Sequence, residues 1–376
     1  MGLVINIYLF LQVLLLIYLC LFIMNGQNEE LIEELVDDNF NTRILIIIPV
    51  HNEENNIVLA IEAVKKANYP HYLRDIVVLA DRCTDNTVSI ALKENVDVYE
   101  EIDNCYFTKG GILESYFEKY MKYLSKYDYI CIIDADTVVE NDFFIEADRE
   151  YKLGRKIVQV KVDSKQTNNT MVSAFLSVFQ SIRNVIFYDV LYRLNITTIL
   201  SGKGMLFSPD VFGQLMWNGK SLIEDVDISF QASVLNVPIT YSKKTSVACA
   251  QPSTVLGMWK QQRRWLSGQY LLIAEYITQL IAGKIAGGTL LFALEGILSL
   301  LILPVIFIFI TRYPMFLALA FLFYYVNAVI LTLISVYVDN RENKTRIRDI
   351  IVFPFMMMLW YLIKVFSFLY PSKKWK

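Results

Sequence analysis

Three acidic sites and one basic, aromatic run are the parts of this chain best suited to chemistry. The acidic sites are Asp81, Asp134-Ala135-Asp136 and Glu224-Asp225. The run Gln-Gln-Arg-Arg-Trp, from Gln261 to Trp265, lies just ahead of a strongly apolar C-terminal third. Spaced carboxylates, an arginine fork and an indole face beside a membrane predict the transfer of a sugar from a nucleotide diphosphate to an acceptor at the bilayer.

The pair Asp134 and Asp136 predicts a cation site. Two carboxylates one residue apart at the end of a strand can share one ligand, one meeting the nucleotide and the other holding Mg²⁺ or Mn²⁺. Such hard cations prefer oxygen ligands, keep several waters and bind substrate phosphates. Asp225-Val226-Asp227 has the same spacing. Because the first pair follows an apolar run, it is the better candidate for the metal site, with Asp136 as the metal ligand. The alternative is that the pair lies in a solvated turn without a functional role.

Asp225 is the candidate general base. A carboxylate can take the proton from an acceptor hydroxyl as that hydroxyl attacks the anomeric carbon, with a typical gain of about 10² to 10⁴ in rate. Helical residues follow Glu224-Asp225, so the alternative is that the carboxylates cap a helix N-terminus. The two roles are compatible.

Gln261, Arg264 and Trp265 are candidates for binding the donor. The guanidinium of Arg264 suits a phosphate, and the indole of Trp265 offers a face for a sugar or base. The alternative is an Arg/Trp pair anchored at a membrane edge. A weaker signal is Lys109-Gly110-Gly111 before a helix, which could place an amine and backbone amides near phosphate.

Short, continuous apolar runs predict strands buried on both faces of a sheet. Helical stretches separate the first three runs, which argues for an α/β domain with a mostly parallel sheet. Ligands bind beyond the carboxyl ends of such strands, where His51 to Glu54, Asp81 and Asp134 fall. The predicted strands are 44–48, 76–80, 129–133 and 157–160, and the predicted helices are 56–66, 88–93 and 112–124.

Composition narrows the class of protein. The 376 residues are 55% hydrophobic and 19% charged, which is too apolar for an ordinary soluble enzyme. A net charge of −3 argues against a nucleic-acid partner. Five cysteines without metal-ligand spacing predict reduced, mostly buried thiols.

The stretch from Met171 to Leu194 has one apolar helical face, which fits a surface helix of the core or a helix in the membrane interface.

Several apolar stretches are long enough to cross a membrane. The first, Leu3 to Met24, is interpreted as an anchor; a cleaved signal peptide fits less well because a basic n-region and a small-residue cleavage site are absent. Glu295 and Lys364 interrupt two later spans and should face protein or water. Basic clusters around Arg263 and Arg346 place the catalytic domain in the cytosol. The later candidate spans are 286–310, 315–338 and 350–370. The last of them is either a full span or a re-entrant or interfacial segment.

Taken together, these motifs resemble those of the membrane-embedded, inverting glycosyltransferases of family two, the group of cellulose, chitin and hyaluronan synthases and ceramide glucosyltransferase. The resemblance covers roughly Arg43 to Tyr270. It implies a GT-A fold, a cytosolic active site and a nucleotide-sugar donor, most often UDP-linked. It also implies that Glu53 and Asp81 contact the nucleoside and that Asp134 helps hold the nucleotide. The resemblance further implies that Asp136 binds the metal and that Asp225 is the base. It also implies that Gln261, Arg264 and Trp265 line the diphosphate and acceptor channel.

The expected domain organisation follows from these assignments. It comprises an N-terminal transmembrane helix (1–25), an acidic linker (26–42), a GT-A domain (43–252), an interface region (253–285) and a C-terminal membrane region (286–376). The expected protein is an integral membrane enzyme of the plasma membrane that contacts membrane lipids and extends an extracellular or cell-envelope polysaccharide. The alternative is a single addition to a lipid acceptor. An inactive scaffold is disfavoured because each expected acidic site is occupied, and a transporter because few spans accompany a large strand-rich domain.

Overall fold

The computed structural model describes residues 39–101, 108–165, 170–312, 325–333 and 347–372. The chain divides into two units between residues 40 and 41, and the second unit runs from Asn41 to Lys376. Its described residues form one sheet of eight strands. The strands are β1 (Ile44–Val50), β2 (Arg74–Asp81), β3 (Asp97–Glu101), β4 (Tyr129–Ile132), β5 (Thr137–Val139), β6 (Ile157–Lys165), β7 (Met205–Phe207) and β8 (Ile239–Ala250).

The spatial order of the strands is β3-β2-β1-β4-β7-β6-β8-β5. The pairings β3–β2, β2–β1, β1–β4 and β6–β8 are parallel, whereas β4–β7, β7–β6 and β8–β5 are antiparallel. Every residue of β1 is buried, as expected of an apolar strand covered on both faces. The predicted α/β domain with a mostly parallel sheet is confirmed.

Strand β1 continues two residues beyond its predicted end and includes Pro49. Pairing with β4 extends only to Ile47 opposite Ile132, while pairing with β2 continues through Pro49 opposite Leu79. Pro49 therefore lies where β1 has a strand neighbour on one side only. A proline without an N–H donor is tolerated there.

Helices mostly alternate with the strands along the chain, and the last described helices follow β8. The three predicted helices appear with small shifts of their ends, and the third ends in a 3₁₀ segment, Met121–Lys126. The helices are α1 (Ile57–Lys66), α2 (Thr87–Lys93), α3 (Lys109–Tyr120), α4 (Phe143–Lys152), α5 (Met171–Ile182), α6 (Val190–Arg193), α7 (Pro209–Phe212), α8 (Glu224–Val234), α9 (Val255–Glu275), α10 (Ile277–Ile281), α11 (Gly287–Arg312), α12 (325–333) and α13 (Ile347–Leu369).

The apolar face predicted for residues 171–194 is packed against protein. Helix α5 continues through a π-helical segment, Arg183–Asp189, into α6. Its side chains Val172, Phe175 and Leu176 are buried in one cluster with residues of α9 and α13. This face is therefore covered by other helices, one of which, α13, is itself long and apolar enough to cross a membrane.

Two described helical stretches, Met171–Arg193 and Ile350–Leu369, are long and apolar enough to cross a membrane, judged by length and composition. Only the second is largely uncovered by protein. Lys364 on α13 is buried and forms an ion pair with Glu295 on α11, so this charge faces protein, as predicted. The predicted span at residues 3–24 and most of 315–338 lie outside the described residues.

Candidate active site

The loops that follow β1 and β2 are joined by hydrogen bonds. His51 Nδ1 lies 2.6 Å from the backbone oxygen of Asp81, and the backbone N–H of Glu53 donates to Thr87 Oγ1 over 2.8 Å. Asn52 and Arg82 have positive φ angles of 55° and 47°. Such conformations cost free energy in residues other than glycine and concentrate at functional sites.

The two predicted nucleoside ligands lie on these adjoining loops. Asp81 is buried, and its Oδ1 lies 2.5 Å from a guanidinium nitrogen of Arg82. Burial raises the pKa of the Asp81 carboxyl, and Arg82 offsets part of that rise. Glu53 Oε2 accepts a hydrogen bond of 2.9 Å from Asn56 Nδ2. The structure places both carboxylates at the carboxyl edge of the sheet, while their contact with a nucleoside stays a prediction.

Lys109 lies between two of the predicted acidic sites. Its Nζ is 2.6 Å from Asp134 Oδ1 and 3.5 Å from Glu224 Oε1, and it also donates to the backbone oxygen of Gly202 over 2.8 Å. The start of α3 approaches closely enough that a Cβ on Gly110 would fall 2.7 Å from the backbone oxygen of Asn218. Glycine at this position thus permits the approach that carries Lys109 into the site.

Positive charge outweighs burial at Asp134. Burial alone would raise the pKa of this carboxyl, but Lys109 and Lys203 together hold it below its usual value. Conversely, burial would lower the pKa of Lys109, yet Asp134 and Glu224 raise it. Both groups are therefore ionised at neutral pH. A fixed ammonium near a strand end is suited to hold a diphosphate.

Asp136 is paired with Lys203, a residue that the sequence analysis did not identify. Lys203 Nζ lies 2.9 Å and 3.2 Å from the two oxygens of Asp136, and 3.9 Å from Asp134 Oδ2. Lys203 stands between Gly202 and Gly204, whose φ angles are 80° and 61°. The signal in the sequence was a lysine flanked by two glycines, but only the fold shows which carboxylates it meets.

Asp225 lies in the first turn of α8, near Lys109. Burial, followed by repulsion from Glu224, raises its pKa to about 7, while Lys109 and Arg264 offset part of the rise. A Cβ on Gly202 would lie only 3.0 Å from Asp225 Oδ2, so the glycine loop borders this carboxyl. A carboxyl that titrates near neutrality is suited to general base catalysis.

The alternative role of the acidic pair as a helix cap is wrong. Ile223 occupies the N-cap position of α8, and a side-chain capping bond is absent there. Glu224 and Asp225 instead belong to the first helical turn, where the helix dipole favours negative charge.

Arg264 projects from α9 toward the acidic cluster. Its Nη1 donates a hydrogen bond of 2.8 Å to the backbone oxygen of Leu222, just ahead of α8. The charge of Arg264 also lowers the pKa of Asp134 and of Asp225. These contacts place the guanidinium beside the catalytic candidates. A side chain that only anchored the helix at a membrane edge would not need this position.

The other two residues of the motif have different surroundings. Trp265 packs against an apolar cluster that includes Ile223 and Phe230. Gln261 is partly buried and accepts a hydrogen bond of 3.4 Å from Gln262 Nε2; its described hydrogen bonds do not reach the acidic cluster. Trp265 thus supports the α8–α9 contact, and the roles of both residues in a diphosphate or acceptor channel stay predictions.

The residues at this edge fit a divalent cation that completes its coordination with substrate phosphates. The described residues contain no group of three or more His, Cys, Asp or Glu side chains able to hold a metal ion by themselves. The Asp136 side chain is 37% exposed, and both of its oxygens pair with Lys203. Mg²⁺ is commonly held by one or two carboxylates plus substrate phosphates, and the donor set here matches that pattern.

The sheet, its polar carboxyl edge and the lysine-carboxylate cluster define a GT-A-like α/β protein. Residues 129–338, just over half of the chain, match the family model described as glycosyl transferase family group 2. The chain belongs to this family and is a glycosyltransferase.

Two curated relatives carry the same name, poly-beta-1,6-N-acetyl-D-glucosamine synthase. The protein from Staphylococcus epidermidis is 22% identical over 346 residues, which cover 85% of this chain and 80% of the relative. The protein from Staphylococcus aureus (strain MSSA476) is 23% identical over 271 residues, 69% of this chain and 62% of the relative. Among solved structures, the chain is similar to a mannosyltransferase from Pyrobaculum calidifontis in complex with GDP-Man and Mn²⁺, with a TM-score of 0.48, 14% identity, and coverage of 64% of this chain and 66% of that one.

Proposed function

We propose that this chain transfers a sugar from a UDP-linked donor, with inversion at the anomeric carbon, to a growing cell-envelope polysaccharide. N-acetylglucosamine is the first candidate for the sugar, because the two curated relatives are named as synthases of an N-acetylglucosamine polymer. The observation that carries the proposal is the environment of the Asp225 carboxyl. Its carboxyl has a pKa near neutrality and lies in one cluster with Lys109 and Arg264.

In the proposed reaction, Asp225 takes the proton of an acceptor hydroxyl as the hydroxyl oxygen bonds to the anomeric carbon. The bond from that carbon to the diphosphate oxygen breaks, and the nucleoside diphosphate leaves with the electron pair. One direct displacement of this kind inverts the configuration. Lys109 and Arg264 stabilise the charge that develops on the diphosphate, and both lie within reach of the same acidic cluster.

The remaining candidates surround this centre. Glu53 and Asp81, on the joined loops after β1 and β2, are proposed to contact the nucleoside. Asp134, fixed by Lys109, is proposed to hold the nucleotide. Gln261 and Trp265 are proposed to line the diphosphate and acceptor channel with Arg264, an assignment supported by their shared helix.

Asp136 is proposed to bind Mg²⁺ or Mn²⁺ together with the diphosphate. When bound, the cation neutralises charge on the leaving group. The partly exposed side chain of Asp136 and the nearby Asp134 support this assignment.

The protein is proposed to reside in the plasma membrane, in contact with its lipids, with the catalytic domain in the cytosol. The apolar helix α13 and the basic clusters around Arg263 and Arg346 support this placement. Delivery of a polymer to the cell envelope from a cytosolic donor is consistent with such an arrangement.

Incubation of the purified full chain with a panel of radiolabelled UDP- and GDP-sugars tests the proposal. We expect incorporation from UDP-N-acetylglucosamine into a ladder of products whose length grows with time. A single labelled product that partitions into organic solvent would instead establish one addition to a lipid acceptor. Absence of transfer from every donor, with the protein folded, would contradict the proposed activity.

A further inference from the structure

Lys203 meets the carboxylate that is proposed to hold the cation. Its Nζ lies within 3.2 Å of both Asp136 oxygens and 3.9 Å from Asp134 Oδ2. Its side chain is 18% exposed, less than the 37% of Asp136. The ammonium thus approaches the carboxylate from the protein side.

The backbone that carries Lys203 is fixed. Gln159 is buried, donates from Nε2 to the backbone oxygen of Lys203 over 2.8 Å, and accepts from the backbone N–H of Ser201 over 2.8 Å. Lys109 Nζ donates to the backbone oxygen of Gly202 over 2.8 Å. Gly204 packs closely against β8, since a Cβ there would lie 2.9 Å from Val247 Cγ1. Any response to a ligand must therefore come from the flexible side chain of Lys203.

An ammonium and a divalent cation compete for the same oxygens. A cation bound at Asp136 without nucleotide would lie beside the positive charge of Lys203, and this repulsion weakens its binding. A diphosphate reverses the balance, because its negative charge attracts both the divalent cation and the ammonium.

We propose that Lys203 makes cation binding at Asp136 conditional on the nucleotide. In the free enzyme Lys203 pairs with Asp136. When a nucleoside diphosphate enters, the ammonium turns to the phosphate oxygens and Asp136 accepts the cation. The inference rests on the proposed function, and it assigns Lys203 as a positioning residue for the donor-cation complex.

Thermodynamic linkage gives this proposal a measurable form. If the nucleotide raises the affinity for Mn²⁺ by some factor, Mn²⁺ raises the affinity for the nucleotide by the same factor. Removal of the Lys203 charge should strengthen the binding of Mn²⁺ alone and reduce that factor. Lys203→Met removes the charge and keeps the length, whereas Lys203→Arg keeps the charge.

The experiment measures Mn²⁺ binding to the purified full chain by electron paramagnetic resonance, with and without UDP, and with GDP in parallel. In the unmodified protein we expect the nucleotide to tighten Mn²⁺ binding by at least about tenfold, within the usual range of such couplings. In Lys203→Met, Mn²⁺ alone should bind more tightly and the coupling factor should fall severalfold. Lys203→Arg should keep the coupling. The matched control is Lys156→Met, which alters an exposed lysine paired with Asp210 and should behave as the unmodified protein does.

The outcomes separate the two proposals. Equal coupling in the unmodified protein and in folded Lys203→Met would overturn the role of Lys203 and leave the proposed metal site intact. Loss of coupling in Lys203→Arg as well as in the control would show that it depends on general folding, which also overturns the inference. Failure of the unmodified protein to bind Mn²⁺ even with a nucleotide would overturn the metal site itself, while the sugar-transfer assay would still judge the glycosyltransferase activity.

Discussion

At the scale of single residues, the protonation of Asp225 is set by opposing neighbours. Burial and the adjoining Glu224 favour the neutral acid, while Lys109 and Arg264 favour the carboxylate. The resulting pKa of about 7 keeps the group basic enough to accept a proton and still ionised for part of the time at neutral pH. Brønsted behaviour makes a pKa close to the operating pH favourable for a general base.

The pH dependence of transfer follows from this pKa. Because the deprotonated carboxylate is the proposed active form, kcat/KM should rise as the pH increases through about 7. Asp225→Asn keeps the size and removes the basicity, so kcat should fall by at least about 10² with donor affinity largely kept. Asp210→Asn, at an exposed ion pair, is the control for transfer. A variant that lost donor affinity and kept its maximal rate would make Asp225 a binding residue, with Glu224 and Asp227 as the next candidates.

Stability provides an independent check on the same residue. The folded-state pKa of Asp225 lies above its ordinary value, so the group favours folding at low pH and this contribution is lost as the pH rises through about 7. Asp225→Asn carries no charge at any pH. Between pH 5 and pH 8, the Tm of the variant should therefore rise relative to the Tm of the unmodified protein. A difference that is constant with pH would contradict the raised pKa.

The chemical types of the site residues could be predicted from the sequence, but their partners could not. Asp134, Asp136 and Asp225 stood out because carboxylates followed an apolar strand or opened a helix. Lys203 did not, because its importance comes from a contact with Asp136 across 67 positions of the chain. Trp265 was predicted to offer a binding face, whereas much of its environment is the apolar cluster beside α8.

At the scale of elements, helix α9 must approach α8 closely to place Arg264. Gly268 lies one turn after Arg264, and a Cβ there would fall 2.8 Å from Ile223 Cγ1. Ile223 directly precedes α8, and Leu222 accepts the hydrogen bond from Arg264. The spacing between the two helices therefore determines where the guanidinium lies relative to Asp225.

Gly268→Ala tests this spacing. Alanine favours helix more than glycine does, so a local loss of helix is not expected. The added methyl must displace Ile223 or α9, which should reduce kcat/KM by about tenfold or more, since small misplacements of catalytic groups are costly. Gly213→Ala is the matched control, because its nearest neighbour would be 3.7 Å away and its φ is −68°. Full activity in Gly268→Ala, measured as sugar transfer, would contradict the proposed importance of the close approach.

Elements were predictable where their pattern is local. Strands β1, β2, β4 and β6 each contain a short, mostly apolar run that predicts a buried strand. Strand β3 could not be predicted in this way, because its sequence Asp-Val-Tyr-Glu-Glu is polar and it lies at the edge of the sheet. Strand β8 pairs with β6 through a register shift between Val160 and Lys161, which tertiary packing rather than periodicity decides.

At the scale of the whole molecule, α9 connects the candidate active site to the apolar helices. This helix carries Arg264 toward the acidic cluster, and its Gln262 accepts a hydrogen bond of 2.9 Å from Trp360 of α13. Gln269 of α9 donates to Glu295 of α11 over 3.1 Å. One helix thus connects the proposed catalytic residues with the proposed membrane region, an arrangement that suits transfer to an acceptor at the bilayer.

The orientation of the molecule in the membrane is the last prediction, and it rests on the distribution of basic residues. Clusters around Arg263 and Arg346 flank the predicted spans 286–310 and 315–338, and the excess of Lys and Arg on the cytosolic side places both clusters, with the catalytic domain, inside. Tyr72 is 78% exposed on that domain, so Tyr72→Cys should resist a membrane-impermeant thiol reagent in intact cells and react after permeabilisation. Thr311→Cys, between the two spans, should react in intact cells and serves as the positive control, with the unmodified chain as the background for its own cysteines. Rapid labelling of Tyr72→Cys before permeabilisation would place the catalytic domain outside, away from any cytosolic nucleotide sugar, and would reverse the proposed topology.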